Sequence, residues 1–500
     1  MLTTPSPEEE VELKFALPPE TLAVTAKRLA RTRVLARRKV TRQKLHNIYF
    51  DTPDQLLRRS KMALRVRHMA DGPAVQWVQT LKVGGNQDAA LSRRGEWETP
   101  VADGSLSIQA LQATPWSDFD PTGKIFAALA PAFTTAFERT TWIVNRRDGS
   151  RIEVALDSGE VLADGLTTPI CELELELRLG SAQALFDVAR EIAASVPLLP
   201  LHISKSERGY RLAQGSLLEP RASQAPKLTA DMALHEVANC VLSEAFLQFT
   251  ANLHTLRAVD NPEALHQARV GWRRFKSALK LFKSCAPIAL LPPLEPLRPL
   301  LQALARMRDL DVSAAETLPM LARAYTAGDP GRELQWHAMA EALERARREQ
   351  RTQVLAALQE PAAGVTLIEI GQWLATTASP NALETRADKD SSDVPDWALR
   401  RAKRLHDQLL AQPHDSHDPE VQHRIRILSK RLRYCVEFLR PVLPRRRAKK
   451  WHQAALQLQT ELGASRDIVQ TMEIVAGLGV DTCLMEFLRG VAAGQRMRPP

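Results

Sequence analysis

The chain is short of cysteine, of long apolar runs and of phosphate-cradling glycine loops, and each shortage removes a class of protein. Its 500 residues hold five cysteines, Cys171, Cys240, Cys285, Cys435 and Cys483. They are scattered, odd in number and without CxxC spacing, which argues against a disulfide framework and a zinc site and leaves reduced, buried thiols as the expectation. No run of about twenty apolar residues is present to span a bilayer. The richest stretch, 285–294, is short and broken by Pro287, Pro292 and Pro293. The first ten residues are acidic and proline-containing instead of basic and then apolar, so a secretory signal is not expected and the expected location is cytoplasmic. No Walker A sequence occurs, which excludes an ordinary P-loop mechanism. His235-Glu236 opens like a zincin motif, but Asn239 stands where its second histidine is required.

What remains is ordinary globular composition, 44% hydrophobic and 25% charged, in a chain long enough for two or three domains. The net charge of +9 is uneven: residues 1–212 carry 28 Lys+Arg against 26 Asp+Glu, and residues 213–500 carry 39 against 32. That excess points to an anionic partner for the second part, with a solvated basic surface as the plainer alternative.

Up to residue 212 the chain alternates apolar and polar residues in short runs at 11–17, 45–51, 63–67, 75–82, 95–101, 141–145, 152–157, 161–163 and 170–179. Turn signals at Asp71-Gly72-Pro73, Gly84-Gly85-Asn86, Asp148-Gly149 and Asp164-Gly165 separate several of them. Helical periodicity at 19–38 and 182–195 makes this an α+β domain with antiparallel strands. A connector follows at 213–226, and a helical part at 227–495. A polar, breaker-containing stretch at 376–395 divides the latter into repeats of about 227–375 and 396–490. His266-x-x-Arg269-Val270-x-x-Arg273-Arg274-x-Lys276 aligns without gaps on His423-x-x-Arg426-Ile427-x-x-Lys430-Arg431-x-Arg433. A second match pairs Leu304–Asp309 with 462–467, so a duplicated all-α bundle is expected.

The strands carry charge at the same two-residue period. Glu10, Glu12 and Lys14 share one face of the first strand and Val11, Leu13 and Phe15 the other. Arg65 and Arg67 share a face, as do Glu96 and Glu98, and as do Glu172, Glu174 and Glu176. On any one strand such a face is normally solvated. If instead the sheet closes into a barrel of about eight strands, the lumen accommodates one small ligand and is lined with both charge signs. Helices must then cover the apolar outside. Clustered carboxylates beside cations suit a hard divalent ion bridging to phosphate oxygens, with Arg and Lys spreading the charge of a phosphoryl-transfer transition state.

Glu10-x-Glu12-x-Lys14 resembles the ExExK signature of the CYTH, or triphosphate tunnel metalloenzyme, superfamily. The resemblance continues through Tyr49-Phe50-Asp51-Thr52-Pro53, Leu64-Arg65-Val66-Arg67, Gln79-Thr80-Leu81-Lys82, Arg94-x-Glu96-x-Glu98, Glu153-x-Ala155-x-Asp157, Glu172-x-Glu174-x-Glu176 and Ser204-Lys205-x-x-Arg208-Gly209-Tyr210. It implies an eight-stranded antiparallel tunnel that binds triphosphates with Mg²⁺ or Mn²⁺. Carried over by position, Glu10, Glu12, Glu172 and Glu174 look like metal ligands. Lys14, Arg65, Arg67, Lys82, Arg139 and Lys205 look like phosphate-binding cations. Asp157, Glu98, Glu96 and Glu176 are further metal or orienting candidates, Glu176 having a solvent-facing alternative.

In the helical part His266, Arg269, Arg273 and Lys276 fall on one helix stripe, repeated by His423, Arg426, Lys430 and Arg433. Arg274 and Arg431 adjoin them. Two such stripes meeting across a pseudo-two-fold axis would form a cationic groove. This part resembles the CHAD domain, associated with inorganic polyphosphate binding, and the resemblance makes these ten residues polyphosphate contacts. The histidines either hydrogen-bond phosphate or pack between helices. The expected function is a metal-dependent inorganic triphosphatase carrying a polyphosphate-binding domain, in the cytoplasm or at polyphosphate granules. The competing readings are a polyphosphate-binding or targeting protein with an idle tunnel, and a thiamine or nucleoside triphosphatase or adenylate cyclase on the same fold. Nucleic-acid binding fits the charge, but no aromatic stacking platform accompanies it.

Overall fold

A computed structural model describes residues 8–71, 74–87, 91–283, 290–377, 393–413, 418–461 and 464–496. Contacts divide the chain into two units, the first made of residues 1–219, 257–259 and 359–375 and the second of the remainder.

The first unit is built on eight antiparallel strands: β1 (Glu8–Ala16), β2 (Val40–Asp51), β3 (Met62–Asp71), β4 (Ala74–Gln87), β5 (Ser92–Val101), β6 (Ala130–Asn145), β7 (Arg151–Ala163) and β8 (Leu166–Leu179). They follow the order β5-β4-β3-β2-β6-β7-β8-β1, and pairing of β1 with β5 closes the ring. β1 does this by dividing its length. Residues 8–12 pair with β5 and residues 12–16 with β8, while Phe15 and Ala16 also pair with a two-residue strand, β9 (Leu199–Pro200). The barrel has no long open edge.

The runs at 152–157 and 161–163 are one strand, β7, because Gly159 continues the ladder opposite Phe137. A Cβ at Gly159 would fall 2.1 Å from the Ala136 carbonyl oxygen, so a strand glycine here answers a close backbone approach and marks no break. Gly84-Gly85-Asn86 is likewise no turn. β4 runs through it with an irregularity in its pairing to β5 between Gly84 and Gln87. Asp148-Gly149 and Asp164-Gly165 are turns, with both glycines at positive φ. Gly72 and Pro73 lie outside the described residues.

The barrel is polar inside and apolar outside. Val11, Leu13 and Phe15 join one outer core with Leu29 of α1 (Leu22–Arg31), and short helices α2 (Leu56–Arg59), α3 (Trp116–Phe119) and α4 (Lys124–Ala127) follow around the barrel. α5 (Ala182–Ala193), capped by the Ser181 side chain, adds Leu185, Phe186, Val188 and Ile192 to that core. Burying each such side chain contributes about 1.5–3 kcal/mol. The expected helix over 19–38 forms regular α-helix only to Arg31, and its last turn closes through Thr32. α6 (Lys205–Ala213) starts at Ser204, whose side chain accepts from the Glu207 N–H at 3.1 Å. Asp51 accepts from Leu57 N–H, Arg58 N–H and the Tyr210 hydroxyl at 2.8, 3.1 and 2.7 Å. The conspicuous Tyr49–Pro53 and Ser204–Tyr210 motifs are therefore joined by a structural clamp.

The second unit contains α7 (Leu234–Ala258), α8 (Pro262–Leu281), α9 (Arg298–Val312), α10 (Leu318–Thr326) and α11 (Pro330–Leu358). After α12 (Pro361–Thr377) it continues with α13 (Val394–Leu410), α14 (Pro419–Leu439), α15 (Arg445–Glu461), α16 (Ala464–Ala476) and α17 (Thr482–Arg496). α12 is an exception to the linear division. Read from sequence as the end of the first helical repeat, its residues up to 375 instead belong with the barrel, where Ile368 enters the core formed by Val11, Leu13 and Phe15. The duplication is visible in α8 and α14, each opened by a capping Asn261 or Asp418 and a proline. Ser313 and Thr471, which the repeat offset makes counterparts, touch through their hydroxyls at 2.9 Å. Counterparts can meet only on the pseudo-two-fold axis, so this contact marks it.

Cys171 and Cys435 are buried, Cys240 is partly so, and Cys483 is exposed at the start of α17 against the expectation of burial. Cys285 lies outside the described residues. Among them no single helix is long and apolar enough to cross a membrane.

Candidate functional site

The polar faces of the strands enclose a cavity of about 740 Å³. All six expected phosphate-binding cations, Lys14, Arg65, Arg67, Lys82, Arg139 and Lys205, line it together with Glu10, Glu96, Glu98, Glu174 and Glu176. Glu176 thus faces the lumen and not bulk solvent. Glu12, Asp157 and Glu172 are buried and hold lining cations by ion pairs.

The charges form a continuous alternating ladder. Lys82 lies 2.9 Å from Glu10 and 2.8 Å from Glu96. Arg94 bridges Glu10 and Glu12 at 2.5 and 2.7 Å. Lys14 then joins Glu12 to Glu174 at 3.2 and 3.0 Å, as the register of β1 on β8 requires. Arg139 makes a two-pronged bond to Asp157 at 2.7 and 2.6 Å and reaches Glu174 at 2.5 Å. Lys205, at the first position of α6, contacts Asp157 at 2.7 Å, Glu174 at 3.0 Å and Glu172. On the opposite wall Arg65 lies 3.5 Å from Glu96, Arg67 lies 3.9 Å from Glu98, and Asn47 accepts from Arg67 at 2.9 Å.

Burial alone would raise the carboxylate pKa values, but the neighbouring cations win. Lys82, Arg94 and Lys14 hold Glu10 well below the usual range. Lys14, Lys205 and Arg139 do the same for Glu174, and Arg139 and Lys205 for Asp157. Lys205 is raised because its three carboxylates outweigh its desolvation. Arg67 is lowered to about 10 by burial and by Arg65 and Arg139. Glu176 is pushed up to about 7 by burial, which Arg178 offsets only in part.

For a metal, Asp157, Glu172 and Glu174 offer oxygens that all lie within 4.8 Å of one another. Glu10 and Glu12 form a second group around Arg94. All of these donors are hard carboxylate oxygens, which fit Mg²⁺ or Mn²⁺ and not a thiophilic ion. Arg94 and Arg208, quoted above only as motif positions, and Arg178, which no motif included, carry site contacts for which the sequence suggested no role. Arg94 shares the strand face of Glu96 and Glu98, and Arg178 that of Glu176, so the two-residue period could have supplied both. Arg208 reaches Glu172 at 3.0 Å from a helix, where no strand period announces it.

Residues 8–210 match the CYTH domain family, and residues 240–476 match the CHAD domain family. The chain carries a CYTH domain followed by a CHAD domain. The chain is similar to an inorganic triphosphatase of Haemophilus influenzae, 32% identical over 210 residues, which is 42% of this chain. The match spans 56% of that relative, a little over half its length. Among solved structures, the chain is similar to the CHAD domain from the plant Ricinus communis, with 28% identity, a TM-score of 0.47, and coverage of 56% of this chain and 92% of that one. It is also similar to a candidate adenylyl cyclase from Hippeastrum with a dominant triphosphatase activity, at 18% identity, a TM-score of 0.27, and coverage of 42% and 98%.

In the CHAD domain the two expected stripes are not uniformly exposed. Arg273 and Lys276 are exposed on α8, as are His423 and Arg431 on α14, whereas His266, Arg269, Arg426, Lys430 and Arg433 are partly covered. Arg274 is buried, pairs with Glu437 at 3.1 Å and stacks on Phe438. Arg433 lies 3.6 Å from the same Glu437. Arg274 thus ties α8 to α14, while the Arg433 pair lies within α14. Burial, Arg308 and Arg273 hold His266 below the ordinary histidine value. Ile427, beside Arg426 in the repeated motif, is 38% exposed.

Proposed function

We propose that the CYTH tunnel hydrolyses a phosphoanhydride bond of inorganic tripolyphosphate with Mg²⁺ or Mn²⁺, and that the CHAD domain binds inorganic polyphosphate. The observation that carries the proposal is the balance of the lumen. Eight cations and six carboxylates line the cavity, and three further carboxylates pair with those cations from the wall. A site built only to hold a polyanion would be strongly positive. This lumen is close to neutral, so a substrate of several negative charges must bring its own counter-ions, which the carboxylates are placed to hold.

A bound divalent ion, held by Glu172, Glu174 and Asp157 or by Glu10 and Glu12, would polarise phosphoryl oxygens and acidify a water. The chain's own residues do the rest. Their ion pairs keep Lys14, Arg139 and Lys205 pointing inward before substrate arrives, so the cations reorganise little when phosphate oxygens replace carboxylate oxygens. Arg65, Arg67 and Lys82, on adjacent strands, face them and take charge that develops on the leaving phosphate. Lys14 touches both carboxylate groups and so couples the two walls.

The named relative supports this reading of substrate, and the test is a substrate panel on the full chain. Tripolyphosphate, thiamine triphosphate and nucleoside triphosphates are offered with and without Mg²⁺ or Mn²⁺, and phosphate and cyclic AMP are measured. Preferred metal-dependent phosphate release from tripolyphosphate is expected. Cyclic AMP as product, or a nucleotide preferred, would replace the substrate assignment, and no turnover with any of them would leave an idle tunnel.

A further inference from the structure

A second cavity, of about 310 Å³, lies where the ends of α8, α13 and α14 meet. Its rim carries Lys280, Lys283, Arg401, Arg404 and Arg431, and among the described residues no carboxylate lines it. Among the described residues none of these five cations is in an ion pair, whereas the neighbouring Arg274 and Arg433 both engage Glu437. The Nε of Arg401 is buried without a hydrogen-bond partner, as are those of Arg274 and Arg433, but Arg401 has no carboxylate against its guanidinium among the described residues. Five unpaired like charges around one concavity are mutually repulsive, and an anion removes the penalty.

The remainder of the lining is not polar. Leu281, Cys435, Tyr434 and Phe438 are buried there, with Leu405 beside them, and the Tyr434 and Phe438 rings stack with each other. An inorganic phosphate chain has nothing to place against such a floor. An anion carrying a flat apolar ring does, and the volume is at the small end of the range for small-molecule sites. We infer that this pocket is a binding site for a nucleoside mono- or diphosphate, with phosphate on the cationic rim and the base against the apolar floor. The guanidinium forks of Arg401 and Arg404 supply two-pronged contacts to phosphate, and the apolar wall takes the base by burial. Of the expected polyphosphate contacts only Arg431 lines it, so it is distinct from the histidine-bearing stripes.

The test is isothermal titration of the full chain with ADP and, separately, with pyrophosphate, in EDTA. ADP is expected to bind about tenfold or more tightly than pyrophosphate, since only ADP uses the floor. The double variant Arg401→Gln/Arg404→Gln is expected to weaken ADP binding about tenfold or more while leaving phosphate release from tripolyphosphate and the circular dichroism spectrum unchanged. A second variant, Arg404→Glu, repeats the test by charge reversal with one exposed residue. Absence of ADP binding, equal affinity for pyrophosphate, or ADP binding insensitive to both variants would each overturn the inference. The readout is binding, so it stands or falls independently of the tunnel's activity.

Discussion

Replacing Asp157 by asparagine removes one carboxylate from the most enclosed part of the ladder. Asp157 is fully buried, is gripped by Arg139 through two hydrogen bonds of 2.7 and 2.6 Å, and contacts Lys205 at 2.7 Å. Breaking a buried pair from one side costs about 3–5 kcal/mol. The low end applies, because Glu174 still meets Arg139, Glu172 and Glu174 still meet Lys205, and the amide oxygen still accepts one hydrogen bond. A loss of about 3 kcal/mol corresponds to about 6–12 °C in the barrel transition by scanning calorimetry. Arg139→Gln alone should also destabilise, and the double variant should fall short of the sum by about 1.5 kcal/mol or more, since each loss orphans the other's partner. The sign with pH also follows. The Asp157 pKa is depressed in the fold, so its contribution is present above the ordinary carboxylate range and is lost as pH falls through the folded value. Asp157→Asn should therefore narrow its gap to the parent in strong acid. A Tm unchanged within about 2 °C, or strict additivity with Arg139→Gln, would refute the claim that the ladder is a coupled network.

Other outcomes follow from single positions. Ile368→Ala, far along the chain from the barrel but part of its core, should lower the barrel transition by about 2–4 kcal/mol in denaturant titration, and a segment ending at Glu219 should be less stable than the barrel in the full chain. Gly209→Ala would set a Cβ 2.2 Å from the Phe133 ring and should cost about 1–3 kcal/mol; a neutral result would show that the α6 contact yields freely. His266 lies below the ordinary histidine value and is neutral at pH 7. Polyphosphate affinity of the full chain should therefore rise as pH falls below the histidine range, and His266→Gln should flatten that slope. Arg94→Gln should release Glu10 and Glu12 from their shared guanidinium and raise the metal concentration optimum or lower turnover, read from phosphate release against Mg²⁺.

Much of the barrel was legible because a lumen of charges and an apolar exterior impose a two-residue period, which β1, β3 and the second part of β8 show most plainly. β6 begins at Ala130, well before the run at 141–145, because Pro131 and the buried Thr135 mask its alternation. β7 looked divided because a glycine forced by backbone proximity has the same letter as a turn glycine. Lys14, Arg65 and Arg67 were legible for the same periodic reason, whereas Lys82, Arg139 and the helix-borne Lys205 were placed only by the resemblance to the CYTH family. Their partners were less so: which carboxylate meets which cation depends on cross-strand register, such as Lys14 opposite Glu174, and on the helix-borne Arg208. In the helical part the repeat was legible, yet its chemistry was not. A helix stripe gives the angle of a side chain but not the neighbour against it, so Arg274 could not be told from Arg273 until Glu437 and Phe438 were in place. The membership of α12 in the barrel is tertiary, and no local pattern announces it.

The most direct test of the central claim is phosphate release from tripolyphosphate by the full chain, compared with Glu174→Gln, in Mg²⁺ or Mn²⁺ and in EDTA, with polyphosphate binding measured alongside. Turnover that needs the metal, is lost in the variant and leaves polyphosphate binding intact is the predicted result. Turnover in EDTA, or a variant as active as the parent, would contradict it.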